Sequence, residues 1–425
     1  MRIFYNIFIY GYTFLIRLAV PFNRQARQWV TGRKNLFQRM KQAVGKHENI
    51  VWFHCASLGE FEQGRPVMEA FKETFPNYKI LLTFFSPSGY ELRKDYAGAD
   101  YIFYLPPDKP KNARRFIRTF QPKLAVFIKY EYWYNYIKEL SKNKIPLFFV
   151  SAIFRKNQYF FRPGTKWFRN QLQKVTWFQV QDKTSSDLLN SIRVFHHQVG
   201  GDTRFDRVLK IARQEKHFPV LENFVRGCET LIAGSTWPPD EKLLSGYLQH
   251  NPKIKMVIAP HKVHPEHLEE IRRLFAPFHP VFYTDLHGNK EIAPESRVLV
   301  IDTMGMLSYL YRFGRVAYVG GGFGVGIHNL PEAAVYGLPV IFGPHHEHFR
   351  EAIDLLKNGG GFAVTDQKSL NQTVDQLLES SDQYQKAAKA AKTYVENEAG
   401  ATYLAIEKFK EYIVVQQKEK SVGNL

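Results

Sequence analysis

Glu60 closes the run HCASLGE over residues 54–60. A strand that ends in Ser-Leu-Gly and then Glu presents a carboxylate at a sheet edge, near the start of a helix, where it suits the work of a general base. The plainer alternative is a carboxylate that only caps the helix. Glu62 is the weaker candidate beside it. Glu131 lies in KYEYWYN, residues 129–135, two positions after Lys129. The two share a face if the strand continues; a local ion pair is the alternative. Tyr132 and Trp133 read as packing residues. Arg204, in GGDTRFD over 200–206, suits neutralising an anion, with a surface arginine as the alternative.

The strongest local signal is GGFGVGIHNLPEAAVYGLP, residues 321–339. A strand runs into glycines, and Pro331 suits the first turn of a helix. The glycines would let backbone approach a phosphate, and the helix end offers N–H groups. Glu332, inside that turn, would accept from ribose hydroxyls. The spacing is not GxGxxG, so a dinucleotide fingerprint is not supported. His261, His264 and His267 recur at intervals of three, and His345, His346 and His348 cluster again. They lack convincing carboxylate partners and no HExxH occurs, so no metal centre is expected.

The elements that must position these groups alternate as βαβ units. Apolar runs at 50–56, 79–85, 123–128, 146–150 and 177–181 read as buried parallel strands. Helical spacing lies between them, as at 64–74 and 134–143. A second series occupies 231–234, 255–259, 298–302, 316–319, 339–342 and 362–364. The expectation is two doubly wound α/β domains, 47–210 and 229–395. A linker at 211–228 joins them, and 396–425 forms a helix, over 403–417, and a Lys-rich tail. Ligands of open parallel sheets bind beyond the carboxyl ends of the strands. Small, polar and ionisable residues cluster at one end of nearly every strand, which suggests two binding edges facing each other across a cleft.

The chain has 425 residues, 58 basic and 40 acidic, for a net charge of +18. Alone, that suggests nucleic acid. However, residues 1–46 hold nine basic residues and no acid, so half the excess sits in a tenth of the chain. No nucleic-acid motif accompanies it. Residues 3–22 are aliphatic and aromatic, close to the ~20 that a membrane span needs. Arg17 can snorkel, and Tyr5, Tyr10 and Tyr12 suit an interface. The apolar run does not end in a small-residue cleavage site. Residues 1–22 therefore read as a membrane anchor, spanning or interfacial, and 23–46 as a basic juxtamembrane segment on anionic lipid. A buried first helix is the alternative. The positive-inside rule keeps the domain beyond Arg24 cytoplasmic. Two cysteines exclude a disulfide framework and a four-thiolate zinc site.

The ordered set HCASLGE, KYEYWYN, GGDTRFD, IDTMGML and VGGGFGVGIHNLPEAA with IFGPH resembles the 3-deoxy-D-manno-octulosonic acid (Kdo) transferases, over nearly the whole chain. The resemblance implies a GT-B glycosyltransferase with two Rossmann-like domains. It implies transfer of Kdo from CMP-Kdo to a lipid A precursor, lipid IVA, with inversion and without metal or other cofactor. It implies the cytoplasmic face of the cell inner membrane and lipopolysaccharide biosynthesis. The general base then falls on Glu60, the stabilising acid on Glu131 and a basic residue on Arg204. CMP contacts fall on Pro260 and His261, on Met304, Gly305 and Met306, and on Asn329, Leu330, Pro331 and Glu332. There are departures from the family pattern. Lys129 stands where Glu is usual, Tyr134 for Pro, Met306 for Glu and Arg204 for Lys. Two extra residues in 260–266 leave His261, Lys262 or His264 as the phosphate-side cation. The alternatives are a membrane-attached GT-B enzyme with another nucleotide-sugar donor, and a scaffold without activity.

Overall fold

A computed structural model describes residues 1–45, 47–286, 292–324 and 326–422. Lys46 and the end of the Lys-rich tail lie outside the described residues. The chain forms two compact units, Met1–Asp206 with Ala399–Leu425, and Arg207–Glu398.

The first unit holds β1 (Ile50–Cys55), β2 (Lys79–Phe84), β3 (Tyr101–Tyr104), β4 (Leu124–Ile128), β5 (Leu147–Ala152), β6 (Trp177–Val180) and β7 (His197–Val199). All pair in parallel, in the order β3-β2-β1-β4-β5-β6-β7. Both faces are covered, which is why these strands are apolar throughout rather than alternating. Trp52, Phe127 and Phe149 pack on one face, Phe53 and Phe148 on the other. The second unit holds β8 (Thr230–Thr236), β9 (Lys255–Pro260), β10 (Val281–Phe282), β11 (Val298–Val300), β12 (Val316–Val319), β13 (Val340–Phe342) and β14 (Gly361–Ala363). Their order is β10-β11-β9-β8-β12-β13-β14, again parallel. The winding reverses between β1 and β4 in one sheet and between β8 and β12 in the other. Crevices that bind ligands form at such reversals.

Two strands end in matching irregularities. Register shifts occur between Phe149 and Ala152 in β5, and between Gly234 and Thr236 in β8. Each encloses a serine with positive φ, Ser151 at 53° and Ser235 at 54°. Bulges of this kind re-aim the chain at a sheet's rim.

The expected partition changes in three places. Strands β3, β7 and β10 were not legible, being two to four residues long and at or near sheet edges. The stretch expected as a linker holds the helix Pro219–Val225 inside the second unit. The last helix, Ala401–Val422, returns to the first unit, where Phe409 packs on Phe148 at 5.0 Å and Phe71 at 6.0 Å.

The amino-terminal segment is also part of the first unit. It forms α1 (Arg2–Leu18), α2 (Arg24–Thr31) and α3 (Leu36–Ala43). Residues 23–46 are thus more than a basic tether, since Trp29, Leu36 and Met40 are buried. One face of α1 docks. Tyr5 Oη donates to the buried Asp108 at 2.6 Å, Asn135 Nδ2 donates to Asn6 Oδ1 at 2.9 Å, and Ile9 and Thr13 are covered. The opposite face leaves Phe4, Ile7, Phe8, Phe14, Leu15 and Leu18 exposed. Among the described residues no single helix is long and apolar enough to cross a membrane. Arg2–Ala19 and Arg24–Thr31 reach that length together, but they are bent by 118°.

Candidate active site

Glu60 stands at the reversal of the first sheet, three residues after the cap of the helix α4 (Leu58–Thr74). The sequence Ser57-x-x-Glu60 is a capping-box pattern, and it forms one. The Ser57 N–H donates to Glu60 Oε2 at 2.7 Å, and the Ser57 hydroxyl donates to the same oxygen. Capping and catalysis are therefore not exclusive. Oε2 is fixed by the cap, while Oε1 takes no hydrogen bond among the described residues. The helix itself is seated by Gly64. A Cβ there would meet Ile128 Cγ1 at 2.9 Å and Cys55 Sγ at 3.0 Å, so only glycine lets α4 approach β1 and β4 this closely.

Across the reversal, β4 delivers Glu131. It does so by a turn and not by the strand. Lys129 adopts φ 70°, so the strand stops at Ile128 and the shared-face argument for Lys129 and Glu131 fails. Lys129 Nζ lies 5.4 Å from the ring centre of Tyr130 instead. The nearly buried Glu131 faces His54, with Oε2 3.6 Å from Nε2. The other atom at Nε2 is the indole nitrogen of Trp133, 3.0 Å away. Nδ1 of His54 meets Thr83 Oγ1 at 2.9 Å, and Thr83 Oγ1 accepts from Trp52 Nε1 at 2.7 Å. His54 opens the motif of Glu60, yet the sequence reading assigns it no role. Its signal is a single polar ring in the apolar strand IVWFHC. Trp133, expected to pack, is a hydrogen-bond donor to this cluster.

Arg204 comes from beyond β7, yet it is tied to α4. Its Nε donates to Asp202 Oδ2 at 2.9 Å. Gln63 Nε2, one turn along α4 from Glu60, donates to both oxygens of Asp202 at 3.0 and 2.9 Å. Thr203 Oγ1 donates to the Gln63 carbonyl at 2.5 Å and meets Ser151 Oγ at 3.0 Å, which uses the bulge in β5. The first unit therefore links the Arg204 loop to the helix of Glu60 through the buried Asp202.

In the second unit the reversal carries three stacked rings. Trp237 follows β8, His261 follows β9, and His328 lies beyond β12. His261 stacks on Trp237 at 4.8 Å and on His328 at 4.3 Å. Trp237 Nε1 donates to His328 Nε2 at 3.1 Å. Burial and the neighbouring His261 push the His328 imidazole down to about 4, and burial with Lys262 lowers His261. Sequence reasoning missed Trp237. The signal was an aromatic residue directly after Ser235-Thr236.

The glycines here serve the chain's own packing before any ligand. A Cβ on Gly322 would meet Gly343 N at 2.6 Å, and one on Gly321 would meet the Gly326 carbonyl at 2.3 Å. The helix at Pro331 is only Pro331–Ala334. Its N–H groups at Glu332, Ala333 and Ala334 are already bonded to the Asn329 and Leu330 carbonyls. The expectation of open N–H groups on this helix fails there, because so short a turn closes on its own cap. Leu330 and Pro331 are buried, so neither can offer its side chain. Asn329 Nδ2 donates to Glu332 Oε1 at 2.8 Å, and Asn329 Oδ1 has no partner among the described residues. Pro260 ends β9, and Met304 projects into solvent with 74% of its surface exposed. Gly305 sits at φ 88° with open space at its Cβ position. Met306 Sδ accepts from Thr303 Oγ1 at 3.0 Å. Of the three histidines that follow β9, His261 and His267 have different partners. His261 stacks, while His267 pairs with the buried Glu241 at 2.9 Å. No three or more His, Cys, Asp or Glu side chains converge as a metal site among the described residues.

Residues 33–207 match the family described as 3-deoxy-D-manno-octulosonic-acid transferase (Kdo transferase). The chain is 26% identical over 345 residues to 3-deoxy-D-manno-octulosonic acid transferase of Aquifex aeolicus, covering 80% of this chain and 88% of that protein. It is 24% identical over 424 residues to the Chlamydia muridarum protein of the same name, covering 95% and 91%. The solved UDP-GlcNAc 2-epimerase of Neisseria meningitidis matches with a TM-score of 0.61 at 17% identity, over 85% of this chain and 100% of that one. That likeness concerns the fold, which is GT-B-like. Matches that run through both units make the chain similar to the 3-deoxy-D-manno-octulosonic acid transferases, which are glycosyltransferases.

Proposed function

We propose that the protein moves Kdo from CMP-Kdo to a lipid A precursor, lipid IVA, with inversion, in lipopolysaccharide biosynthesis. The observation that carries this reading is the pair of carboxylates, Glu60 and Glu131, at the reversal of the first sheet in a chain similar to these transferases. Glu60 Oε1 takes the proton of the attacking sugar hydroxyl. The new bond forms between that oxygen and the anomeric carbon of Kdo as the bond from that carbon to the CMP phosphate breaks. The electron pair of the broken bond leaves with CMP. Glu131, held beside His54, stabilises the positive charge that develops on the sugar, and Arg204 meets an anionic group of a substrate.

CMP is assigned to the second unit, at Pro260, His261, residues 304–306 and residues 329–332. Of the three candidates for the phosphate-side cation, Lys262 fits best. His261 is stacked and its imidazole is pushed down, and His264 begins the next helix. Lys262 Nζ lies 4.8 Å from the ring centre of Trp237, where an ammonium group can offset the charge of the leaving phosphate. Attachment to the cytoplasmic face of the inner membrane belongs to the same reading. The exposed apolar face of α1 favours a helix lying in the interface over one that spans.

The test is the mass of the product. Detergent-purified protein is given lipid IVA with CMP-Kdo, and separately with other nucleotide sugars. A Kdo adduct with CMP-Kdo alone is expected. Product from another donor, with none from CMP-Kdo, would replace the donor assignment.

A further inference from the structure

Beside α1 the first unit has a cavity of about 690 Å³, walled by α2, the start of α3, the Pro106-Pro107 turn after β3 and the helix Pro110–Phe120. Its lining includes Arg17, Arg33, Lys34, Lys109 and Arg115, and no Asp or Glu. Among the described residues none of the five makes an ion pair with a carboxylate.

Arg33 is the structural centre of this group. Its guanidinium lies 3.9 Å from the ring centre of Trp29 and 4.5 Å from that of Tyr104. It donates to the carbonyls of Leu105 at 3.0 Å, Trp29 at 3.0 Å and Phe85 at 2.7 Å. Carbonyls take three of its five N–H groups but do not neutralise it, and an enclosed charge without a counter-ion is costly. Burial lowers its pKa, and no carboxylate opposes that shift. Lys109 is lowered too, by burial and by the nearby Arg17. The cavity thus gathers mutually repelling cations and supplies no anion.

Its position identifies the anion. Thr13 and Arg17 of α1 line it, and Phe14 and Leu18, exposed, flank Arg17 on the same helix. Phe22, just beyond, is 92% exposed. An apolar helix face beside an unpaired cationic cavity matches a bilayer surface, where acyl chains lie next to phosphates. We infer that this cavity holds the phosphodiester headgroup of an anionic glycerophospholipid while the outer face of α1 enters the acyl layer. The inference rests on the membrane attachment proposed above and adds a site for the lipid charge. It is independent of the transfer reaction.

The experiment is flotation of the full chain with vesicles of phosphatidylcholine alone or with about 30% phosphatidylglycerol, without donor or acceptor. Three proteins are compared: wild type, the cavity triple Arg17→Gln/Lys34→Gln/Arg115→Gln, and a control triple Lys142→Gln/Lys156→Gln/Lys183→Gln. The control positions are exposed and line no part of the cavity. Equal thermal unfolding midpoints confirm that all three fold. At about fivefold per cation near the surface, the cavity triple should lose roughly 100-fold of the wild-type preference for phosphatidylglycerol and keep its binding to phosphatidylcholine. The control triple should keep both. A cavity triple with wild-type preference, or a control that loses as much, overturns the headgroup site while leaving attachment standing. Wild type that floats with neither vesicle, or that self-associates through α1 instead, overturns attachment and headgroup site together.

Discussion

The indole N–H of Trp133 donates to Nε2 of His54 at 3.0 Å. An indole nitrogen only donates, so Nε2 is the acceptor and the ring proton lies on Nδ1, toward Thr83. Glu131 Oε2, 3.6 Å from the same Nε2, faces a lone pair rather than an N–H. Trp133 therefore sets which tautomer Glu131 sees.

Trp133→Phe removes that donor and keeps most of the ring packing against Phe85, 4.6 Å away. Nε2 can then carry the proton and bond Glu131 directly. We expect kcat to fall about tenfold with little change in KM, since the lost arrangement bears on charge at the reacting centre. Steady-state kinetics of the purified variant check this. An unchanged kcat would show that the tautomer does not matter.

Gly64→Ala tests the seating of α4. The added methyl meets Ile128 and Cys55 at 3.0 Å or less, so α4 must move. A destabilisation of about 1–3 kcal/mol is expected, measured by urea unfolding. Activity should fall further than stability alone explains, because Glu60 moves with the helix.

His328 gives a pH dependence with a definite sign. Its imidazole is pushed from 6.5 to about 4 in the folded chain. Between those values the unfolded chain binds more protons, so the stability from this group is present above pH 6.5 and is lost as pH falls toward 4. Gln can still accept from Trp237 and does not titrate. His328→Gln should therefore flatten the fall in unfolding midpoint over that window, compared with wild type by thermal melts.

Asp202→Ala leaves Arg204 without the carboxylate that orients it and leaves Gln63 Nε2 unpaired in a buried site. A cost of about 1–3 kcal/mol is expected from leaving that buried donor unsatisfied. Arg204→Ala should cost less stability, because Gln63 Nε2 and the backbone N–H of residue 204 still donate to the Asp202 carboxylate. Unfolding of the two variants side by side distinguishes the roles.

The sequence made the two-sheet architecture legible because most strands are buried on both faces and read as unbroken apolar runs. Edge strands such as Val281–Phe282 are too short to leave that signal. Glu60 was legible as a position and ambiguous as a role, and the capping box explains why: one carboxylate oxygen caps while the other remains. The tie between Arg204 and α4 was not legible. It joins Gln63 and Asp202 across 139 residues, through a polar cluster that no periodicity marks. The stack of Trp237, His261 and His328 is hidden for the same reason, since each ring follows a different strand. The basic segment 23–46 was legible as charge but not as a folded wall, because its buried Trp29, Leu36 and Met40 are spaced among cations.

The central claim is that Glu60 is the general base. Single-turnover transfer from CMP-Kdo to lipid IVA by Glu60→Gln measures it most directly. Gln still accepts from the Ser57 N–H, so the helix cap is largely retained. Loss of a positioned base predicts a rate lower by about 10²–10⁴-fold, with CMP-Kdo binding and the unfolding midpoint close to wild type. A folded variant that transfers Kdo at near the wild-type rate would contradict the account.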